Sequence, residues 1–208
     1  MIRADLVTDW HPARRVRGQV EYAVCKLLRS LAGAVPADQA IVELGAFCGR
    51  STGWLLLGAQ DGHGAHVTTV DPWEQYRGDY YTPEHGYLAA RAAFEAHMAA
   101  IGATADRHTV IQSTALEAAL AWSGPPVGLL WHDAEHSAEA VARDLSAWLP
   151  HLAPSATVVL HDAGNPEMGV VRGAARVLDA PGWDWPGELI RWRKRPERRG
   201  VLIVRRSS

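Results

Sequence analysis

Cysteine is scarce in this chain. Two residues, Cys25 and Cys48, cannot build a disulfide framework. They suit a reducing cytosol, so a cytoplasmic location is expected. A run of about 18 apolar residues is missing, which excludes a helix that spans a membrane. The opening stretch, MIRADLVTDWHPARR, is too polar for the core of a signal peptide. Charge of one sign is not in excess either: 21 basic and 23 acidic residues leave a net charge of -2. That argues against a dedicated nucleic-acid binder, which usually carries a basic balance. Lysine is nearly missing, with 2 Lys against 19 Arg, a bias that reflects a GC-rich coding genome more than protein chemistry. What is present is enough for a core. Of 208 residues 48% are hydrophobic and 21% charged, the balance of one ordinary globular domain.

Hydrophobic spacing divides the chain into alternating elements. Val16, Val20, Ala23, Val24, Leu27, Leu28 and Leu31 keep a helical period, which predicts an amphipathic helix from about Arg14 to Ala34, stopped by Pro36. Short apolar runs predict strands at 40–44, 66–70, 109–112, 127–131 and 156–161, with helices at 51–60, 87–100, 114–122, 137–149 and 166–178 between or after them. Two further strands, 188–192 and 201–205, flank the basic stretch RKRPERRG and read as a hairpin. Residues 72–86, aromatic and polar, form a long loop of the kind that often serves as a lid. Alternation with short connections implies a largely parallel α/β sheet with helices on both faces. In such folds ligands sit at the carboxyl ends of the strands.

The strand ends therefore carry the chemical interest. The first ends in Glu43-Leu44-Gly45-Ala46-Phe47-Cys48-Gly49-Arg50-Ser51-Thr52. Two glycines four apart allow a tight turn and close approach of a ligand. Ser51 and Thr52 stand where a helix N-cap belongs, beside N–H groups that could hold an anion. The same segment also reads as a plain turn with a capped helix. Asp71 ends the second strand, where nucleotide-binding folds place a ribose acceptor, and equally where an Asp-Pro turn stands. Ser113 and Thr114 follow the third strand and could meet an adenine edge or cap the next helix. The fourth strand ends in His132-Asp133-Ala134-Glu135-His136 and the fifth in His161-Asp162. Two such clusters at consecutive strand ends could hold a divalent cation such as Mg²⁺ or Mn²⁺. A histidine there has the ordinary pKa of a general base. His132 and His136 are four apart, but the segment starts at a strand end and lacks the Glu directly after the first His, so a zinc-protease helix is disfavoured.

Together these residues resemble the class I S-adenosylmethionine (SAM) methyltransferases. ELGAFCGRS at 43–51 is similar to the first motif of the catechol O-methyltransferase type, ELGxxxGxS. The stretch from His132 to Gly164 resembles the D-x-x-H-x-x-x-x-V-x-x-D-L-x-x-W block, followed by a strand ending in HD, of small methyltransferases that include macrolide-sugar O-methyltransferases. The resemblance runs from about Arg14 to Arg206. It implies a Rossmann-like α/β fold with a seven-stranded, mostly parallel sheet and a C-terminal antiparallel hairpin. It implies one domain over 1–208, with an N-terminal helical extension at 1–35 and a substrate lid at 72–86. By that resemblance Glu43, Gly45 and Gly49 shape the SAM loop, and Phe47 and Ser51 approach the amino-acid end of SAM. Asp71 takes the ribose hydroxyls, Trp73 covers the adenine, and Ser113 and Thr114 contact it. Asp133 borders SAM and, with Asp162 and His161, matches the positions that hold a divalent cation. His136 matches a base of the sugar O-methyltransferases, and His161 is a second candidate. Ala163 stands where the catechol type has an amide.

The activity so implied is methyl transfer from SAM to a hydroxyl of a small molecule, a sugar or a phenolic natural product, aided by a divalent metal and a His base. The acceptor is expected under the lid, with Trp73, Tyr76, Tyr80 and Tyr81 as walls suited to a sugar face or an aromatic ring. Neither a nucleic acid nor a membrane is an expected partner, and the basic segment Arg191–Arg199 reads as a solvated hairpin tip. The N-terminal helix could pack against a second copy in a homodimer. Rival readings are another metal-dependent chemistry on the same scaffold and a non-catalytic SAM-binding module.

Overall fold

The computed structural model describes residues 12–16, 18–73, 87–191 and 200–207. Seven strands form one sheet: β1 (Ala40–Leu44), β2 (His66–Val70), β3 (His108–Ile111), β4 (Val127–His132), β5 (Leu152–Leu160), β6 (Glu188–Arg191) and β7 (Gly200–Arg205). Their order is β3-β2-β1-β4-β5-β7-β6. All neighbours among β1 to β5 run parallel, and β7 pairs antiparallel with both β5 and β6. This is the seven-stranded, mostly parallel sheet with a closing hairpin that the sequence predicts. The order reverses between β1 and β4, so the carboxyl ends of those two strands flank the crevice where such sheets take ligands.

Successive strand residues face opposite sides, and the two sides have separate cores. Val42, Leu44, Leu130, Val158 and Leu160 pack on α5 (Ala115–Leu120), α6 (Ala138–Trp148) and α7 (Val170–Leu178). Ile41, Leu129, Trp131 and Val159 pack on α2 (Tyr22–Gly33) and α3 (Arg50–Asp61). A third, smaller cluster lies between the loop after β1 and α4 (Tyr87–Ala100), built from Ala46, Cys48, Trp73, Ala90, Phe94 and Met98.

The predicted helix over 14–34 is two pieces, α1 (Pro12–Arg15) and α2, with bends at Gln19 and Val20 between them. Glycine is a poor helix former, and the carbonyl of Gly18 accepts from Arg50 Nη1 at 3.1 Å, so that acceptor serves a tertiary contact. Val16 and Val20 are buried all the same, which is why their spacing mimics a continuous helix. The apolar stripe of α2 packs on α3 within the chain. The helix expected from 166 begins only at Val170, after turns over 166–169. Residues 74–86 of the expected lid, with Tyr76, Tyr80 and Tyr81, lie outside the described residues, as do 192–199 of the basic segment. Among the described residues no helix is long and apolar enough to cross a membrane.

Candidate cofactor cradle and acidic-histidine cluster

The loop from Gly45 to Gly49 is held from behind at nearly every peptide. Gly45 N–H donates to Val70 O at 2.9 Å. Ala46 and Phe47 N–H donate to Asp71 Oδ2 at 2.8 and 3.0 Å. The Trp73 indole N–H donates to Phe47 O at 3.0 Å, and the His97 ring N–H donates to Cys48 O at 2.7 Å. Three residues of this loop have left-handed φ: Gly45 at 88°, Phe47 at 50° and Gly49 at 86°. Gly45 is required twice over, because a Cβ there would lie 2.3 Å from the Asp133 carbonyl oxygen. The loop ends at Gly49, the N-cap of α3, and no side chain caps that helix. Its first turn therefore presents the unsatisfied N–H groups common to helix starts, at the carboxyl end of the sheet.

Beneath the loop lies a buried polar chain. Thr52 and Thr69 hydroxyls both donate to Glu43 Oε2, at 2.5 and 2.9 Å, and Glu43 Oε1 has no partner. Thr69 in turn accepts from His108 Nε2 at 3.0 Å. Burial pushes the Glu43 carboxyl up to about 7 despite those hydroxyls. Burial likewise pushes His108 down to about 4.

The second group of residues gathers where β4 and β5 end. Asp133, His136, His161 and Asp162 each offer one ligand atom, all within 4.8 Å of one another. His161 Nδ1 donates to Asp133 Oδ1 at 2.9 Å, and His161 Nε2 donates to Glu21 Oε2 at 3.3 Å. Burial opposes a charge on His161, but Asp133, Glu21 and Asp162 outweigh it and hold its pKa well above the usual imidazole value. Burial would raise Asp133, and the neighbouring His161 and His136 reverse that, holding it well below the carboxylate range. Asp162 is raised by burial and by Asp133. His136 Nε2 stands 3.4 Å from Asp133 Oδ1 and 3.6 Å from Asp162 Oδ2, buried and without a hydrogen-bond partner. The same ring lines a cavity of ≈ 510 Å³ with Glu135, Ser137, Glu139, Met168 and Arg172. Two carboxylates and an imidazole are a donor set that suits a divalent cation.

The other predicted residues are engaged within the fold. Ser51 and Thr52 lie inside α3, not at its cap, and the Thr52 hydroxyl donates to Glu43. Trp73 is 5% exposed and packs on Phe94, ring centroids 5.0 Å apart, so it buttresses the loop. Thr114 caps α5 in a reciprocal box with Glu117, and the Ser113 hydroxyl also reaches Glu117. Asp71 sends both oxygens to backbone, the second of them to Trp73 N–H at 2.7 Å. His132 is apart from the cluster: its Nε2 pairs with Asp144 Oδ2 at 3.2 Å inside the core, and it shares no helix face with His136. Glu21 was not foreseen, and nothing local marks it. Asp144 was legible, since it sits on the buried stripe of α6 with Val141, Leu145 and Trp148.

Comparison with known proteins agrees with this geometry. The model of a methyltransferase-domain family matches residues 42–163, more than half of the chain. No curated protein matches. Among solved structures, an O-methyltransferase from Bacillus cereus in complex with SAH is 15% identical with a TM-score of 0.71, covering 98% of this chain and 94% of its own. The O-methyltransferase TomG from Streptomyces achromogenes, involved in tomaymycin synthesis and solved with SAM, is 20% identical at TM-score 0.66, covering 91% and 82%. CalS11, a TDP-rhamnose 3'-O-methyltransferase of calicheamicin biosynthesis, is 19% identical at TM-score 0.59, covering 86% and 77%. With the sheet order, the glycine-bounded loop and the family match together, the chain belongs to the methyltransferase-domain family and is a SAM-dependent methyltransferase.

Proposed function

We propose that the chain transfers the methyl group of SAM to a hydroxyl of a small molecule, a sugar or a phenolic compound, at the cluster of Asp133, His136, His161 and Asp162. One observation carries this reading. His136 Nε2 is buried, unpartnered and aimed between two carboxylates at 3.4 and 3.6 Å. It is the ring nitrogen of the cluster that makes no hydrogen bond.

The cradle fits SAM. Glu43, Gly45, Phe47, Gly49 and Ser51 form or brace its loop, and the uncapped start of α3 would hold its carboxylate. Asp71 has three backbone donors on about four acceptor sites, which keeps one for a ribose hydroxyl. Asp133, Ser113 and Thr114 border the same strand ends. Bound SAM supplies an electrophilic methyl on a sulfonium. The protein must then align an acceptor oxygen and remove its proton. His136 takes that proton, and Asp133 and Asp162 stabilise the imidazolium that results. Asp133 and Asp162 would also hold Mg²⁺ or Mn²⁺, and a divalent cation, when bound, lowers the pKa of a hydroxyl it meets. His161 was expected as a second base and a ligand. With both ring nitrogens facing carboxylates it is better suited to orienting Asp133. The ≈ 510 Å³ cavity beside His136 is of small-molecule size, and the neighbours TomG and CalS11 are O-methyltransferases of small-molecule pathways.

The test is methyl transfer from labelled SAM to sugar nucleotides and catechols, with Mg²⁺ and after EDTA. His136→Gln should lower turnover by roughly 100-fold or more while SAH binding persists. Asp133→Ala and Asp162→Ala should abolish turnover. Unchanged turnover in His136→Gln contradicts the assignment of the base. Loss on EDTA with recovery on Mg²⁺ or Mn²⁺ supports the cation, and EDTA-insensitive turnover removes it.

A further inference from the structure

We infer that Glu21 is a positioning residue of this site, reaching from the N-terminal segment to fix the ring of His161. The inference rests on the reading that the cluster is where the acceptor reacts. Glu21 and His161 are 140 residues apart, yet Glu21 Oε2 stands 3.3 Å from His161 Nε2. The Glu21 side chain is 18% exposed and that of His161 7%.

Glu21 is the N-cap of α2, where a carboxylate ordinarily accepts from its own helix start and stabilises it. Here the side chain makes no cap bond, although the backbone is extended as a cap requires. The local cap is thus forgone in favour of a tertiary contact. The segment is tied at the neighbouring position too, since the Gly18 carbonyl takes Arg50 at the start of α3. Residues 18–21 therefore touch both halves of the site, the helix that leaves the cofactor loop and the cluster after β5.

The contact decides how His161 is presented. Trp131 packs against the ring with centroids 5.4 Å apart, and the His161 N–H donates to His132 O at 3.0 Å, so the backbone and one ring face are fixed. What remains free is the rotation of the ring. Glu21 Oε2 at Nε2 and Asp133 Oδ1 at Nδ1 hold the ring at both nitrogens. Asp133 is thereby held by a donor on one oxygen. Outer-shell partners of this kind typically alter activity or metal affinity by roughly 10- to 100-fold when removed.

The test compares wild type with Glu21→Ala and Glu21→Gln, the latter keeping shape and one acceptor oxygen. First, ¹⁵N-histidine-labelled enzyme without substrate is read at one fixed pH, with His161 assigned by its loss in His161→Gln. The His161 ring resonances of wild type should be a single sharp set, and Glu21→Ala should lose that signature to broadening or a second set as the ring turns. Second, kcat should fall about 10- to 100-fold in Glu21→Ala and recover at least in part in Glu21→Gln, with SAH affinity equal in all three. An unchanged His161 signature in Glu21→Ala overturns the inference. So does a parallel fall of SAH affinity, thermal stability and kcat in both variants, which marks a merely structural role. The spectroscopic reading needs no acceptor, so it stands or falls apart from methyl transfer. Wild-type turnover in turn stands whatever Glu21 does.

Discussion

Glu43 is a fully buried acid with two hydroxyl donors on one oxygen and none on the other. Its folded pKa of about 7 lies above the roughly 4.3 of an unfolded chain. The folded state therefore binds more protons between those values, and this group's contribution to stability falls as pH rises through that window. His108, at the other end of the Thr69 bridge, has the opposite sign. Its folded value of about 4 lies below the unfolded roughly 6.5, so its contribution grows as pH rises from 4 to 6.5. The two slopes offset each other over much of that range. Replacing Glu43 by Gln removes only the falling one. Urea unfolding should show Glu43→Gln gaining on wild type between pH 4.5 and 8, by up to about 3 kcal/mol. An equal difference at both pH values would contradict the buried-acid account, because an unsatisfied amide alone has no pH dependence. The motif around Glu43 was legible in the sequence. Its link to His108 was not, since it depends on β2 lying beside β3.

At the scale of elements, α2 and α3 cross at glycines. A Cβ on Gly58 would lie 2.2 Å from Arg29 O and 2.8 Å from Ala32 Cβ. Gly58→Ala should therefore push the helices apart and destabilise the fold by about 1–3 kcal/mol. Thermal unfolding reads this directly, and an unchanged midpoint would mean the crossing relaxes freely. The same pair shows what periodicity can and cannot convey. Spacing of apolar residues reports which positions are buried, and Val16 and Val20 are buried whether or not a helix joins them. Continuity was decided by Gly18 and by its bond to Arg50, a residue 32 positions away. The cap of α3 misled for a related reason: Ser51 and Thr52 are cap-type residues, but both lie inside the helix, where the buried Glu43 takes the Thr52 hydroxyl. The cap of α5, one of the two readings open for Thr114, was legible because its partner Glu117 is local.

At the scale of the whole molecule, alternating elements made the parallel α/β sheet legible, and the closing pair of strands made the hairpin legible. The cluster was legible as well, because β4 and β5 both end in His-Asp and are neighbours in the sheet. The place of Glu21 was not, since the packing of α2 on α3 brings that segment over the strand ends. The account as a whole makes the Gly45–Gly49 loop a rigid cradle for SAM, next to a cluster that handles the acceptor's proton. Calorimetric titration of the purified protein with S-adenosylhomocysteine, with Mg²⁺ and after EDTA, tests that most directly. The account predicts saturable binding that persists in Asp162→Ala, and a separate Mg²⁺ heat that Asp162→Ala loses. No binding of S-adenosylhomocysteine under any of these conditions would contradict it.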